Sequence, residues 1–148
     1  MPRVHREAIV PYSAEQMFAL VNDVERYPEF LPGCAGAEVL DRSSHGMRAK
    51  LTLAKAAFKQ SFTTVNQWRS SHHIEMRLAD GPFKQLHGAW QFVPLGTHGC
   101  RVTLTVDFEF ASLIGNLAFG GAFQKLIHSL MDAFHDRARN LYGQPSSG

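Results

Sequence analysis

Eight histidines, two cysteines and a few glutamines set among aromatic residues are the side chains in this 148-residue chain that could move a proton, hold a metal or attack a carbonyl. Acid–base catalysis needs a titratable group inside a pocket, within hydrogen-bond reach of its substrate. His87, with Gln60 and Gln67 as polar helpers, is the first candidate, because it stands in the aromatic stretch LHGAWQF, residues 86–92. Strand side chains alternate faces, so an inward Trp90 and Phe92 take Leu86 and Gly88 with them and turn His87 outward. His87 therefore reads as a surface histidine. His128 and His135 lie seven apart on a helical stretch with Asp132 between them, a spacing that could hold a metal. They fall opposite the apolar stripe of that helix, and a polar face is the simpler reading. His72 and His73 open a strand and read as solvated. Cys34 and Cys100 have no neighbouring Cys or His at metal-finger spacing and read as reduced thiols in or near the core. No GxSxG, P-loop, GxGxxG or HExxH pattern occurs. The chain reads as a non-enzyme, with no catalytic residue, no metal and no catalytic cofactor.

The elements that would position these residues follow from the periodicity. Arg3 to Val10 suits a first strand. Ser13 and Gln16 have the spacing of a capping box, with Tyr12 and Met17 placed as its hydrophobic staple. Met17, Phe18, Leu20 and Val21 give the helix that follows an apolar face. Asp23 is placed to cap a second short helical turn carrying Val24 and Tyr27, which Pro28 should stop. From Val39 onward the period is that of strands. Met47, Ala49, Leu51 and Leu53 alternate with Arg48, Lys50 and Thr52, and Ile74, Met76 and Leu78 alternate with Glu75 and Arg77. The clearest strand runs from Arg101 to Phe110. Turn residues at 43–46, 80–82 and 96–99 join neighbouring strands as an antiparallel meander of six or so strands.

After Ser112 the period returns to 3.6. Phe123, Leu126, Ile127, Leu130, Met131, Phe134, Ala138 and Leu141 form one stripe of a long terminal helix, whose first turns are weakened by Gly115, Gly120 and Gly121. Residues 1–143 read as one domain and residues 144–148, QPSSG, as a flexible tail. The chain is 45% hydrophobic and 19% charged, which suits a single core. No stretch is long enough to span a bilayer, and the N-terminal residues lack the apolar run of a signal peptide, so the expected address is cytoplasmic. A curved sheet wrapped around an amphipathic helix encloses a core that is either solid or hollow, and periodicity does not decide which.

Three separated segments carry a resemblance. PYSAEQMFALVNDVERYPEFLPGC (residues 11–34), DGPFKQLHGAWQF (80–92) and VDFEF (106–110) closely resemble the coenzyme Q-binding START-domain family, whose bacterial branch includes ribosome association toxins. The likeness runs over nearly the whole chain. It implies an α+β, helix-grip (START/Bet v 1-like) fold: a curved antiparallel sheet around a long C-terminal helix, with two short helices after the first strand. It also implies an apolar tunnel between sheet and helix, whose ligand in respiratory relatives is ubiquinone or a similar polyprenyl lipid, carried and not chemically altered. The inward residues expected to contact such a ligand are Phe62, Trp68, Met76, Trp90, Phe92, Phe108, Phe123, Ile127, Leu130 and Met131. Gln60, Thr64, Trp90 and Gln91 are open alternatives for holding a quinone head. Tyr27, Phe30 and Leu31, stiffened by Pro28 and Pro32, are expected to form a lid over the tunnel mouth, facing Leu117, Phe119 and the start of the terminal helix. Gly33 departs from the family pattern, which carries a tryptophan before the cysteine.

Three functions follow. The leading one is non-enzymatic binding or transport of a polyprenyl quinone in support of respiration or quinone biosynthesis, with peripheral contact at the inner membrane. The second is a toxin-like protein that binds the large ribosomal subunit and blocks subunit association. The third, a minor one, is a polyketide cyclase or dehydratase. A net charge of +2 is too weak to announce nucleic acid, and no sequence-specific DNA binding is expected. Arg48, Lys50, Lys55, Lys59, Arg69, Arg77 and Lys84 fall mostly on the outer face of the sheet. There they read either as a soluble surface or as a patch for ribosomal RNA phosphates or anionic lipid.

Overall fold

The computed structural model describes residues 3–55 and 58–143, without the side chains of residues 55, 58 and 114–119. Its order is β1 (Arg3–Val10), α1 (Ala14–Asn22), a 3-10 helix (Val24–Glu29), β2 (Cys34–Ser43), β3 (Gly46–Lys55), β4 (Phe58–Ser70), β5 (His73–Asp80), β6 (Phe83–Leu95), β7 (Gly99–Phe110) and α2 (Leu113–Tyr142). Seven strands form one antiparallel sheet in the order β1-β7-β6-β5-β4-β3-β2, a meander closed by β1 pairing along β7. This is the helix-grip arrangement.

The strand beyond the six expected is owed to β2, which begins at Cys34. Bulges between Cys34 and Gly36 and between Val39 and Asp41 break its alternation, so its first half carries no clean period-two signal. Further register shifts in β4 and at the start of β6 add local bend and twist to the sheet that covers α2. At the β5–β6 turn, Gly81 has φ +148°, and a Cβ there would lie 2.7 Å from the Phe62 Cβ. Only glycine fits that turn.

The capping box forms as the spacing demands. Ser13 Oγ accepts from the Gln16 N–H at 3.1 Å, and the Ser13 N–H donates to Gln16 Oε1 at 2.9 Å. Tyr12 and Met17 are both buried beside it. The next turn differs from expectation. Asp23 makes no side-chain cap, and Pro28 lies inside the 3-10 helix instead of stopping it. A 3-10 helix accepts a proline near its C-terminal end because φ near −65° suits the turn.

The terminal helix runs unbroken from Leu113 to Tyr142, through its glycines. Phe123 anchors it to the sheet, with ring centroids 4.9 Å from Phe83 and Phe108 and 5.8 Å from Phe62, all edge-on. Such pairs add roughly 0.5–1.5 kcal/mol each beyond area burial. Leu141 leaves the apolar stripe and is exposed, since the last turn of α2 extends past the sheet and is held by polar ties. There Tyr12 Oη donates to the Gly143 carbonyl at 2.9 Å and Tyr142 Oη to that of Gln16 at 3.1 Å. Residues 144–148, read above as a flexible tail, lie outside the described residues.

Candidate functional site

The sheet and α2 do not close completely. A cavity of ≈ 80 Å³ remains between them. The sheet supplies Ala49 and Leu51 from β3, Phe62, Thr64 and Asn66 from β4, and Met76 from β5. Leu86, Gly88 and Trp90 of β6 and Leu104 and Val106 of β7 continue the wall. Phe123, Leu126, Ile127, Leu130 and Phe134 of α2 form the opposite wall, and Val24, Tyr27, Leu31 and Cys34 close the end beneath the 3-10 helix. On β4 the period of two explains the placement: Phe62, Thr64 and Asn66 share the inner face while Thr63 and Val65 alternate with them.

Six of the ten expected ligand-contact residues line this cavity: Phe62, Met76, Trp90, Phe123, Ile127 and Leu130. The other four do not. Trp68 and Phe92 lie where α1 covers the sheet, and Phe18 of α1 packs edge-on against both at 6.1 Å. Phe108 is fully buried against Phe110 and Phe123, and Met131 is buried outside the lining. Inward direction placed these four in the core, where Trp68 and Phe92 pack beneath Phe18 of α1 and Phe108 packs in the ring cluster at Phe123.

The lid residues are held elsewhere along α2 than expected. The Phe30 ring sits edge-on to Phe134 at 5.3 Å and to Tyr27 at 6.0 Å, toward the C-terminal half of the helix. Tyr27 packs on Phe134 at 5.4 Å, and its phenol donates to the Val21 carbonyl. The Arg137 guanidinium lies over the Phe30 ring, and its Nη2 donates to Glu29 at 3.0 Å. The segment is therefore clasped by Phe134 and Arg137, where aromatic and ionic partners exist. The side chains of Leu117 and Phe119 lie outside the described residues.

Among the described residues the lining carries no charge: none of them is Asp, Glu, Lys, Arg or His. Its two weak acids stay protonated, because burial pushes the Tyr27 phenol far up and raises the Cys34 thiol. Cys34 and Cys100 are buried free thiols, and burial pushes Cys100 up to about 11. Among the proposed head-group holders, Thr64 and Trp90 line the cavity. Gln60 donates instead to the Ser61 carbonyl at 3.1 Å, and Gln91 is exposed. Asn66 was not foreseen, although the same period of two that places Phe62 and Thr64 leads to it. Thr64 Oγ1 donates to Asn66 Oδ1 at 2.7 Å, and both side chains are buried.

His87 points to the outer face, 3.1 Å from Asp107. His128 is exposed, whereas His135 packs edge-on against Tyr12 at 6.2 Å. Among the described residues no cluster of three His, Cys, Asp or Glu could hold a metal. Nor is any helix among them long and apolar enough to cross a membrane. The outer basic face is only partly neutralised. Arg48 pairs with Asp41 at 2.8 Å, Arg77 donates to Gln67, and Arg3 and Arg101 meet Asp107 and Glu7. Lys50, Lys59, Arg69 and Lys84 have no ion pair among the described residues, and the Lys55 side chain is not described.

Comparison with known proteins gives the site its context. The model of the family described as polyketide cyclase / dehydrase and lipid transport matches residues 10–135. The chain is 47% identical to "Ribosome association toxin RatA" of Escherichia coli K12 over 96% of its own length and 90% of that protein's. It is 49% identical to the protein of the same name from Vibrio cholerae, over 97% and 100%. "Coenzyme Q-binding protein COQ10 homolog B, mitochondrial" of Xenopus laevis is 28% identical, over 92% of this chain and 57% of that one. Among solved structures, the Zhui aromatase/cyclase from Streptomyces superposes with a TM-score of 0.81 at 17% identity, covering 95% of each chain. A START superfamily protein from Mycobacterium smegmatis superposes with a TM-score of 0.77 at 24% identity, over 94% of this chain and 98% of the other. At these identities the two structures speak to fold alone.

Proposed function

The chain belongs to the polyketide cyclase / dehydrase and lipid transport family, and on that premise we propose that it acts by associating with the ribosome, as a non-enzymatic cytoplasmic protein. The observation that carries this reading is the 47–49% identity, over nearly the full length of both chains, to proteins named for ribosome association. The finer form is the one weighed from sequence: the protein binds the large subunit and blocks joining to the small one. This reverses the order of the first two readings drawn from sequence alone.

Sedimentation tests it directly. The purified protein, mixed with separated ribosomal subunits and run through sucrose gradients, should travel with the large subunit and reduce the 70S peak when the small subunit is added. If phosphate contacts contribute, added salt should weaken the association steeply. Protein that remains at the top of the gradient at low salt would defeat the proposal.

A second reading is favoured by the cavity itself: the interior takes an apolar molecule. Its ≈ 80 Å³ is well below the ~300–1,000 Å³ of ordinary small-molecule sites, so a polyprenyl quinone would require Tyr27–Leu31 or α2 to move outward. The ligand is therefore proposed at the level of an apolar small molecule, with ubiquinone as one case and with peripheral membrane contact as its route of loading. Organic extraction of protein purified without detergent, followed by mass spectrometry, should recover a stoichiometric lipid; an extract with none counts against this second reading.

A further inference from the structure

A second concavity shares no lining residue with the cavity under α2. It lies beside the β4–β5 turn, has a volume of ≈ 570 Å³ and is lined by His45, Gln67, Trp68, Arg69, His73 and Glu75. That volume falls within the ~300–1,000 Å³ of ordinary small-molecule sites. A slip in the β4–β5 pairing between Gln67 and Ser70 brings Trp68 there, and the Trp68 backbone N–H donates instead to the His45 carbonyl at 3.0 Å. Its side chain is half-buried. Phe18 of α1 meets the indole edge-on at 6.1 Å, so the ring that lines the concavity is held in place before anything binds. Beside it, Arg69 is exposed and has no ion pair among the described residues. Glu75 faces Gln67 in the strand register and lies 3.5 Å from His73 Nε2. Gln67 Oε1 accepts from Arg77 Nη2 at 3.2 Å, which leaves the Gln67 amide N–H groups turned to another partner. An aromatic ring, a guanidinium without a counter-ion and a donor beside an acceptor match the three parts of a nucleotide: base face, phosphate and base edge.

We propose that this concavity seats one unpaired nucleotide of an RNA strand, its base stacked on Trp68 and its phosphate on Arg69. Gln67 and Glu75 meet the base edge. Glu75 also sets the direction, because a phosphate placed beside it is repelled while the N–H groups of a base are not. The inference rests on the ribosome-association reading, which supplies the RNA, and it gives that reading a contact face. Double-stranded RNA is rejected, since its bases are stacked on one another and cannot reach the ring. A protein partner is the poorer fit, because among the described lining residues Trp68 alone is apolar.

Three probes separate the alternatives: a fluorescein-labelled single-stranded RNA dodecamer of alternating adenosine and guanosine, the same strand annealed to its complement, and an abasic ribose-phosphate dodecamer. Each is titrated with the full chain and followed by anisotropy. The single strand should bind most tightly. Trp68→Leu should weaken it about tenfold, and Trp68→Phe by less, because the smaller ring still stacks. Arg69→Gln should make the fall of log affinity with log salt shallower by about 0.7, the loss of one phosphate contact to a single strand. Lys125→Gln, which removes the same charge from the exposed side of α2, should leave that slope unchanged. Trp68→Leu and Arg69→Gln should both sediment less with the large ribosomal subunit. Failure of the single strand to bind, equally tight binding of the duplex or abasic chain, or wild-type binding by Trp68→Leu would each overturn the inference. So would free GMP displacing the dodecamer at equal concentration, which would make the site one for a mononucleotide. Sedimentation that depends on Trp68 in a protein that binds no RNA would also overturn it, in favour of a ribosomal protein. Wild type that stays at the top of the gradient yet binds the single strand through Trp68 would defeat the ribosome reading and leave the RNA site. Arg69 is exposed, so Arg69→Gln keeps the test decisive should a Trp68 variant not fold.

Discussion

Arg137 lies across Phe30, its guanidinium carbon 4.9 Å from the ring centroid, while the ring's edge meets Phe134 one turn back on α2. The cation and the ring together tie the 3-10 segment to the terminal helix over one end of the cavity. The ring should carry more of the energy than the ion pair. Glu29 is 45% exposed and shared between Arg137 and Arg26, so that pair is screened by water. Phe30→Ala is expected to cost about 1–3 kcal/mol, less than a fully buried phenylalanine because Phe30 is half-buried. Arg137→Met, which keeps the stem, should stay within about 1 kcal/mol. Urea unfolding of both variants measures this, and a larger loss for Arg137→Met would reverse the ranking.

Acid should weaken the sheet at Asp107. The Arg3 guanidinium bonds this carboxylate at 2.6 Å, and with a lesser contribution from the charge of His87 it holds the carboxyl below its usual range. Because the folded pKa is depressed, the stabilisation is fully present above the unfolded carboxylate value, about 3.9, and is lost as pH falls through the folded one. Stability followed by thermal unfolding from pH 6 to pH 2.5 should therefore fall more steeply below about pH 4 in wild type than in Asp107→Asn. Parallel curves would mean that Asp107 contributes nothing to the acid limb.

Gly88 has no room for a side chain. A Cβ there would stand 2.8 Å from the Thr105 carbonyl oxygen, 3.2 Å from Met76 Cε and 3.3 Å from Val106 Cγ2. Met76 can swing aside, but the Thr105 carbonyl belongs to the backbone of β7, which is paired on both sides. Gly88→Ala is expected to destabilise by about 1–3 kcal/mol in spite of alanine's lower entropy cost in a strand. Chemical denaturation would show it, and a neutral result would mean that β6 and β7 separate at little cost.

The elements were legible where one local rule acts alone. Ser13 and Gln16 made their box because its bonds are confined to four residues, and the alternation from Arg101 to Phe110 survived because β7 is paired on both sides, by β1 and β6, and dry on one face. β2 was read late because bulges interrupt its period, and the order of strands around β1 needed the register that only β7 supplies. Sequence told which residues face inward but not which of them meet empty space. That distinction depends on α1 laying Phe18 over Trp68 and Phe92, and on Phe123 of α2 packing against Phe108, contacts between segments far apart in the chain. Asn66 was overlooked for a different reason: a polar residue inside a mixed strand resembles an outward one until its parity is counted from Phe62.

Filling the cavity separates its role from ribosome binding. Ala49 is buried, lines the cavity and pairs across from Thr64, so Ala49→Val adds two methyl groups into space that is already empty, in a strand that favours β-branched residues. Each buried carbon contributes roughly 0.8 kcal/mol, and imperfect fit will reduce the sum, so the ligand-free protein should gain about 1 kcal/mol. Small apolar probes such as acetophenone and ethylbenzene should both bind more weakly to this variant, since volume has been removed. Sedimentation with the large ribosomal subunit should remain unchanged if docking uses the outer surface of the fold. A variant that is stable, closed to both probes and no longer sediments with the subunit would show instead that the filled or empty state of the cavity governs docking, because nothing on the exterior would have been altered.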